Sequence, residues 1–140
     1  MKKRVVSLLF VCITLLSLLS ANVSAAAPNP NSPMWDNTNI FMSDLIFTGT
    51  TGNVSVLIVG MHGVDYIAAE VSLFYKNEKG VWAWIQTDWS YGVDGDSLSI
   101  EESFTGTPGV EYKIIIEGSV VKDHEPEDLF DYKTAICPTT

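Results

Sequence analysis

From residue 40 onward the sequence consists of short apolar runs separated by turns rich in Gly, Asp and Asn. Within several runs, apolar and polar side chains alternate, as in the Ser-Leu-Ser-Ile run at 97–100. A period of two places alternate side chains on opposite faces of a β-strand, whereas an amphipathic helix needs apolar residues three and four apart. No stripe with helical spacing extends over a useful length, so the sequence predicts an all-β domain.

Seven strands are predicted from these runs. They cover residues 40–48, 54–60, 66–76, 81–89, 97–104, 111–121 and 131–137. An acidic loop is expected at 122–129, with a short helical turn at 125–130 after Pro126. Seven short strands with regular turns favour a single β-sandwich.

Gly109 and Tyr112 add a signal at the start of the sixth predicted strand. A tyrosine just after a glycine turn is typical of a tyrosine corner, in which the phenol hydroxyl bonds back to the backbone. With the long third strand, the tryptophan-bearing strand after it and the late Cys137, this turn resembles immunoglobulin-like Greek-key modules. It also resembles small exported β-sandwich proteins of Gram-positive bacteria whose function is unknown.

The resemblance covers residues 40–137. It implies an immunoglobulin-like Greek-key sandwich, and it brings no catalytic residues. Such proteins tend to pair a late cysteine with one on the second strand, but no cysteine lies in 54–60 of this chain.

The first 25 residues have the three parts of a secretory signal peptide. A positive cluster at 2–4 precedes an apolar run at 5–19, and small residues lead up to Ala25. Cleavage is expected after Ala25, with Ala26 and Ala27 as close alternatives. The apolar run is shorter than the roughly 20 residues of a spanning helix, so cleavage is favoured over a retained membrane anchor.

The mature protein is therefore expected to be secreted or to lie at the cell surface, with no membrane contact once the signal is removed. Residues 26–39, rich in Pro and Asn, are expected to form a flexible leader, with Trp35 as a possible anchor. Residues 40–137 form the predicted sandwich, and 138–140 a tail. This length is enough for one domain with its own core.

Removal of the predicted signal peptide makes the remaining chain more acidic. Five basic residues then remain against 17 acidic ones, a net charge of −12, and no arginine is left. Such a surface repels nucleic acid and anionic lipid headgroups. Cys137 becomes the sole cysteine, either a free thiol, an intermolecular disulfide or a buried apolar residue, and partial exposure is expected. The protein is then either a monomer or a dimer linked through Cys137.

The strand at 81–89 contains three of the four tryptophans. The turn at 77–80 fits a three-residue loop with a glycine bulge, which places Trp82 opposite Lys76 and Trp84 opposite Phe74. Phe74, Trp82 and Trp84 then form an aromatic patch on the outer face, suited to the flat faces of sugar rings. A loop one residue shorter or longer would turn both tryptophans into the core.

Other chemistry has less support. The acidic side chains of the turns offer the oxygen ligands that calcium prefers, although without the spacing of an EF-hand loop; the candidates are Asp94, Asp96, Asp123 and Glu125. The two histidines, His62 and His124, lie in turns, and no serine has the glycine pattern of a nucleophile elbow.

We therefore expect a non-enzymatic module that binds a glycan or a cell-surface protein, with no cofactor other than a weakly supported calcium ion. One alternative is a structural or assembly protein, dimerised through Cys137. A small hydrolase is the least favoured alternative.

Overall fold

The computed structural model describes residues 35–139, which form eight β-strands and no helix, so the all-β prediction is confirmed. The strands are β1 (Thr38–Thr48), β2 (Thr51–Gly60), β3 (Tyr66–Lys76), β4 (Trp82–Ile85), β5 (Ser90–Asp94), β6 (Ser97–Thr105), β7 (Glu111–Lys122) and β8 (Glu125–Ile136).

The strands are arranged in two antiparallel sheets. One sheet has the order β1-β2-β6. In the other, β7 lies between β3 and β8, and β4 and β5 both pair with the remaining edge of β3. The two sheets pack face to face in the manner of a β-sandwich.

The core comes mainly from the central strands β2, β3 and β7. Their inward side chains alternate with outward ones as the period of two predicts, and each buried aliphatic side chain contributes about 1.5–3 kcal/mol. The fully buried set is Val54, Val56 and Ile58 on β2, Ile67, Val71 and Leu73 on β3, and Ile114, Ile116 and Val120 on β7.

The prediction of seven strands is wrong, because the predicted strand at 81–89 ends early and a separate strand follows. The β3–β4 ladder stops at Leu73 and Ile85, and the β3–β5 ladder begins at Glu70 and Ser90. The segment 86–89 instead bonds to Val71, through the Val71 amide to the Trp89 carbonyl at 2.9 Å and through the Thr87 hydroxyl to the Val71 carbonyl at 3.3 Å. This segment contains two more residues than the stretch of β3 it spans, so the alternation resumes unchanged in β5.

The acidic loop and helical turn predicted after β7 are also wrong. Asp123 and His124 form a two-residue hairpin turn, both with positive φ (52° and 68°), and β8 starts at Glu125. Mirror-image turns of this kind match the twist of the strands they join. Pro126 is tolerated because β8 is an edge strand, where a missing backbone donor breaks no second ladder.

The chain entering β1 is held in place. Trp35 packs edge-on against Phe41 with ring centroids 5.8 Å apart, and Glu127 accepts hydrogen bonds from the backbone amides of Asp36 and Asn37. Strand β1 starts two residues before its predicted position. The predicted signal peptide, its cleavage at Ala25 or Ala26, and residues 26–34 of the expected flexible leader lie outside the described residues.

Side-chain hydrogen bonds link the two sheets along both sides of the sandwich. On one side, the Ser43 hydroxyl on β1 donates to Asp131 on β8 at 2.6 Å, and Thr38 donates to Glu127 at 2.5 Å. On the other, the Tyr91 hydroxyl on β5 bonds to Glu102 on β6. That bond, together with burial, raises the pKa of Tyr91.

On two edge strands, a backbone amide donates a hydrogen bond to the side chain of the residue before it. On β1 the amide of Leu45 donates to the Asp44 carboxylate at 2.8 Å, and on β8 the amide of Tyr132 donates to the Asp131 carboxylate at 2.9 Å. Within the described part of the chain, β1 pairs with β2 alone and β8 with β7 alone.

The tyrosine corner forms as predicted. The buried phenol oxygen of Tyr112 accepts a hydrogen bond of 2.9 Å from the backbone amide of Thr107. Gly109 has φ +80°, a conformation that other residues adopt only with strain, and its amide donates to the carbonyl of Cys137 at 2.9 Å. The corner therefore ties the β6–β7 loop to the end of β8.

Replacing Tyr112 by Phe tests the corner. The change leaves the Thr107 amide without its acceptor, and we expect the free energy of unfolding to fall by about 1–2 kcal/mol in chemical denaturation. Tyr132→Phe, on an exposed tyrosine, is the matched control and should change it by less than about 0.5 kcal/mol. Equal effects of the two substitutions would contradict the role of the corner.

Glu127→Gln tests how firmly Glu127 holds the entry of β1. Desolvation raises the pKa of Glu127, but hydrogen bonds from Thr38 and from the backbone amides of Asp36 and Asn37 outweigh it, and the pKa is lowered overall. A lowered pKa gives stability that is present above the unfolded-state pKa and is lost as the pH falls through the folded-state pKa.

We therefore expect Glu127→Gln to be about 1–2 kcal/mol less stable than the native protein at pH 7. The difference should shrink as the pH falls from about 5 to about 3, as measured by denaturant titration at each pH. The control is Glu101→Gln, on an exposed carboxylate of β6. A difference that stays constant with pH would show that ionisation of Glu127 is not involved.

Candidate functional site

The β3–β4 turn determines which way the tryptophans face, and it has the predicted register. The amide of Asn77 donates to the carbonyl of Val81 at 2.9 Å, and Gly80 adopts φ +74°. The Asn77 side-chain oxygen accepts from the amides of Lys79 and Val81, each at 3.0 Å. The turn is therefore fixed by its own residues, as is typical of an asparagine at this position.

Phe74, Trp82 and Trp84, called here the tryptophan patch, lie on the outer face of the five-stranded sheet. Lys76 pairs with Trp82 and Phe74 with Trp84, while Leu73 and its partner Ile85 face inward. Trp84 is 59% exposed, and Trp82 and Phe74 are half-buried. The patch is therefore open to solvent in the part of the chain that the structure describes.

Two lysines on neighbouring strands lie over the rings of the patch. The Lys113 ammonium on β7 is 4.5 Å from the centroid of Trp82 and 5.3 Å from that of Phe74, and the Lys76 ammonium is 5.4 Å from Trp82. Cations at these distances are attracted by the negative faces of the rings. Lys76 also forms an ion pair with Glu111 at 2.9 Å. The lysines cover part of Trp82 and Phe74, so Trp84 is the most open ring.

The outer face continues onto β8 with apolar side chains that the sequence analysis missed. Phe130, Tyr132 and Ile136, called here the β8 stripe, are 63%, 58% and 64% exposed. Their inward neighbours on β8 include Asp131 and Lys133, which lie 2.9 Å apart as an ion pair. Leu129 is buried on the inner face of β8, but from Phe130 to Lys133 the usual alternation is inverted, with polar residues inward and aromatic ones outward. Tyr132 and Ile136 lie in the strand predicted at 131–137, but the sequence analysis did not assign its two faces.

A cleft of about 850 Å³ opens at the end of the sandwich next to the tryptophan patch. The β3–β4 turn, the loop before β7 and the end of β8 form its walls. Lys76 and Ile136 belong both to this cleft and to the outer face. The patch and the cleft are therefore contiguous.

The four predicted calcium ligands do not form a site. Asp94 and Asp96 lie at the β5–β6 turn, and Asp123 and Glu125 at the β7–β8 turn. No group of three or more potential metal-ligating side chains converges among residues 35–139. The calcium prediction therefore has no support from the geometry.

Cys137 is a free thiol in the described chain, and the expectation that it is partly exposed is wrong. Its side chain is 0% exposed. The sulfur lies against Gly106 and beside Phe47, and the Cys137 amide donates to the carbonyl of Val110 at 2.9 Å. Apolar packing and this hydrogen bond hold the end of β8 inward, so a link between two chains through Cys137 requires local opening.

The histidines give no catalytic arrangement. His62 follows β2 and His124 lies in the β7–β8 turn, and both are exposed.

The described part of the chain contains no helix of the length and apolarity needed to span a membrane.

The architecture is that of a β-sandwich with an aromatic outer face. The chain matches no family model, and no curated protein or solved structure is significantly similar to it.

The burial of Cys137 predicts its reactivity. A thiol reagent should label Cys137 in the native protein at least about 100-fold more slowly than in denaturant, because reaction requires opening of a buried site. Labelling is followed by absorbance in both conditions. Rapid stoichiometric labelling of the native protein, or a disulfide-linked dimer on non-reducing electrophoresis, would contradict the burial and support assembly through Cys137.

Proposed function

We propose that this protein is an exported, non-enzymatic β-sandwich module that binds a glycan through the tryptophan patch. The observation that carries the proposal is the exposed outward position of Trp84 beside Trp82 and Phe74. Large aromatic surfaces left open on a folded domain mark contact sites, and flat rings suit the apolar faces of sugars.

The positions of the three rings on the sheet support this function. Trp84 and Phe74 are direct partners on neighbouring strands, and Trp82 lies two residues from Trp84 on the same face. The backbone of a sheet holds such side chains in a fixed array, so binding orders little besides the side chains themselves. Preorganisation of this kind lowers the entropic cost of association.

The strand order supports an immunoglobulin-like Greek-key fold as part of the proposal. Strands β1, β2 and β6 share one sheet, while β3, β7 and β8 share the other, so the chain crosses between sheets rather than running as a simple meander. The tyrosine corner at Tyr112 occurs in the same class of sandwich. The signal-like first 25 residues support secretion or cell-surface location, as in the Gram-positive proteins that the sequence resembles.

Assembly through Cys137 remains the alternative function. The buried position of the thiol weighs against it. The β8 stripe gives assembly a different basis, because exposed apolar side chains on an edge strand also suit contact with another protein.

Trp84→Ala tests the glycan proposal. Trp84 is mostly exposed, so the substitution should leave the unfolding free energy within about 0.5 kcal/mol of the native value. We expect binding to immobilised polysaccharides to weaken by at least about 30-fold, equivalent to about 2 kcal/mol, because a central aromatic anchor is lost. Binding is measured by titration of the purified protein over a panel of neutral and acidic polymers.

The matched control is Ile46→Ala. Ile46 is similarly exposed, at 56%, but lies on β1 in the other sheet. Its substitution should leave polysaccharide binding unchanged. Absence of binding to every polymer, or equal losses in both variants, would overturn the proposed function.

A further inference from the structure

We propose that the glycan bound by the tryptophan patch is anionic, a sugar polymer that carries carboxylate or phosphate groups. This inference rests on the proposed function and adds the chemical class of the ligand. Its basis is the unequal distribution of cations over an otherwise acidic protein.

Lysines are scarce outside the predicted signal peptide, and most of them lie at or beside the tryptophan patch. Only five occur after residue 34, against 17 acidic residues. Lys76 and Lys113 contact the patch rings directly, and Lys79 lies in the adjacent turn and lines the cleft. Two of the five lysines therefore contact the rings of the patch, and a third lies in the turn beside them.

Lys113 is the cation best placed to bind an anion. Within residues 35–139 its ammonium forms no ion pair, whereas Lys76 is paired with Glu111 and Lys133 with Asp131. The ring faces of Trp82 and Phe74 attract its charge, but a ring cannot saturate the three N–H donors of an ammonium. Those donors remain available for carboxylate or phosphate oxygens, with which charge-assisted hydrogen bonds are strong.

The nearest carboxylates do not cancel this charge. Glu111 is already paired with Lys76. Glu70 and its partner Glu117 lie on the same outer face, but Glu70 is four residues along β3 from Phe74, about 13 Å in an extended strand. That separation exceeds the screening length of about 8 Å at physiological salt. An anion at Lys113 is therefore largely shielded from these two carboxylates.

The aromatic rings and the Lys113 ammonium lie in one row across the sheet, so a single ligand can contact both. Trp84, Phe74, Lys113 and Thr134 are successive cross-strand partners on β4, β3, β7 and β8. With strands about 4.8 Å apart, this row is about 14 Å long. A polymer lying along it stacks one ring on Trp84 and presents an anionic group to Lys113, before reaching the hydroxyl of Thr134.

Polymers with one backbone and different charges test the proposal. Dextran, carboxymethyl-dextran and phosphorylated dextran are titrated with the purified protein. We expect at least one anionic form to bind about tenfold or more tightly than dextran, with the carboxylated and phosphorylated arms distinguishing the two groups. This preference should decline between about 0.05 M and about 0.5 M salt, because it is electrostatic. The net negative charge of the whole protein would favour the opposite result.

Variants assign the preference to Lys113. Lys113→Gln should reduce binding of the preferred anionic polymer about tenfold more than it changes dextran binding, while Lys113→Arg should retain the preference. Lys122→Gln is the matched control on the same strand, nine residues or about 30 Å away, and should have no effect.

Three outcomes would overturn the inference. Equal binding of neutral and anionic dextrans, with no effect of Lys113→Gln, would reject the anionic ligand but leave glycan binding intact. Equal losses in Lys113→Gln and Lys122→Gln would show diffuse attraction instead of a site. Absence of binding to all three dextrans and to every other polysaccharide tested would reject the proposed function itself.

Discussion

The whole structure depends on the apolar packing between the two sheets, which fixes the faces of strands β2, β3 and β7. Once Ile67, Val71 and Leu73 are buried on one side of β3, Phe74 and Lys76 must lie on the other. The three-residue loop at 77–80 transfers this alternation to β4. A shift of one residue would exchange every inward and outward side chain, so core packing and turn geometry together hold the tryptophans in solvent.

The surface produced in this way differs from the rest of the molecule. The protein has a net negative charge, yet the outer face near Trp84 combines open aromatic rings with lysine side chains. The β8 stripe extends the apolar area towards the far edge of the sheet. Such a combination offers stacking area and hydrogen-bond donors together. Trp84 contributes little burial because it is mostly exposed, and Lys113 contacts the rings but forms no ion pair within the described residues. An open ring and an unpaired ammonium are the features on which the proposed binding role rests.

Local signals in the sequence predicted part of this arrangement correctly. The all-β class follows from the alternation, the β3–β4 register from the Asn77–Gly80 turn, and the corner from Gly109 and Tyr112. The break before β5 and the faces of β8 depend on contacts between residues far apart in the sequence, which local patterns do not reveal. The break before β5 depends on hydrogen bonds to Val71, which lie in a different part of the sequence. The carboxylates on the inner face of β8 are explained only by the position of β1 opposite them, where the hydroxyls of Ser43 and Thr38 donate hydrogen bonds to Asp131 and Glu127.

The carboxylates that occupy amides on the two edge strands have a consequence for behaviour at high concentration. A strand from another molecule needs free amides and a neutral approach in order to extend a sheet. Beside Leu45 it would meet a donor already in use and the negative charge of Asp44, and beside Tyr132 a donor already in use and the ion pair of Asp131 with Lys133. Asp44 and Asp131 thus oppose amyloid-like stacking on β1 and β8, even though apolar side chains lie close by.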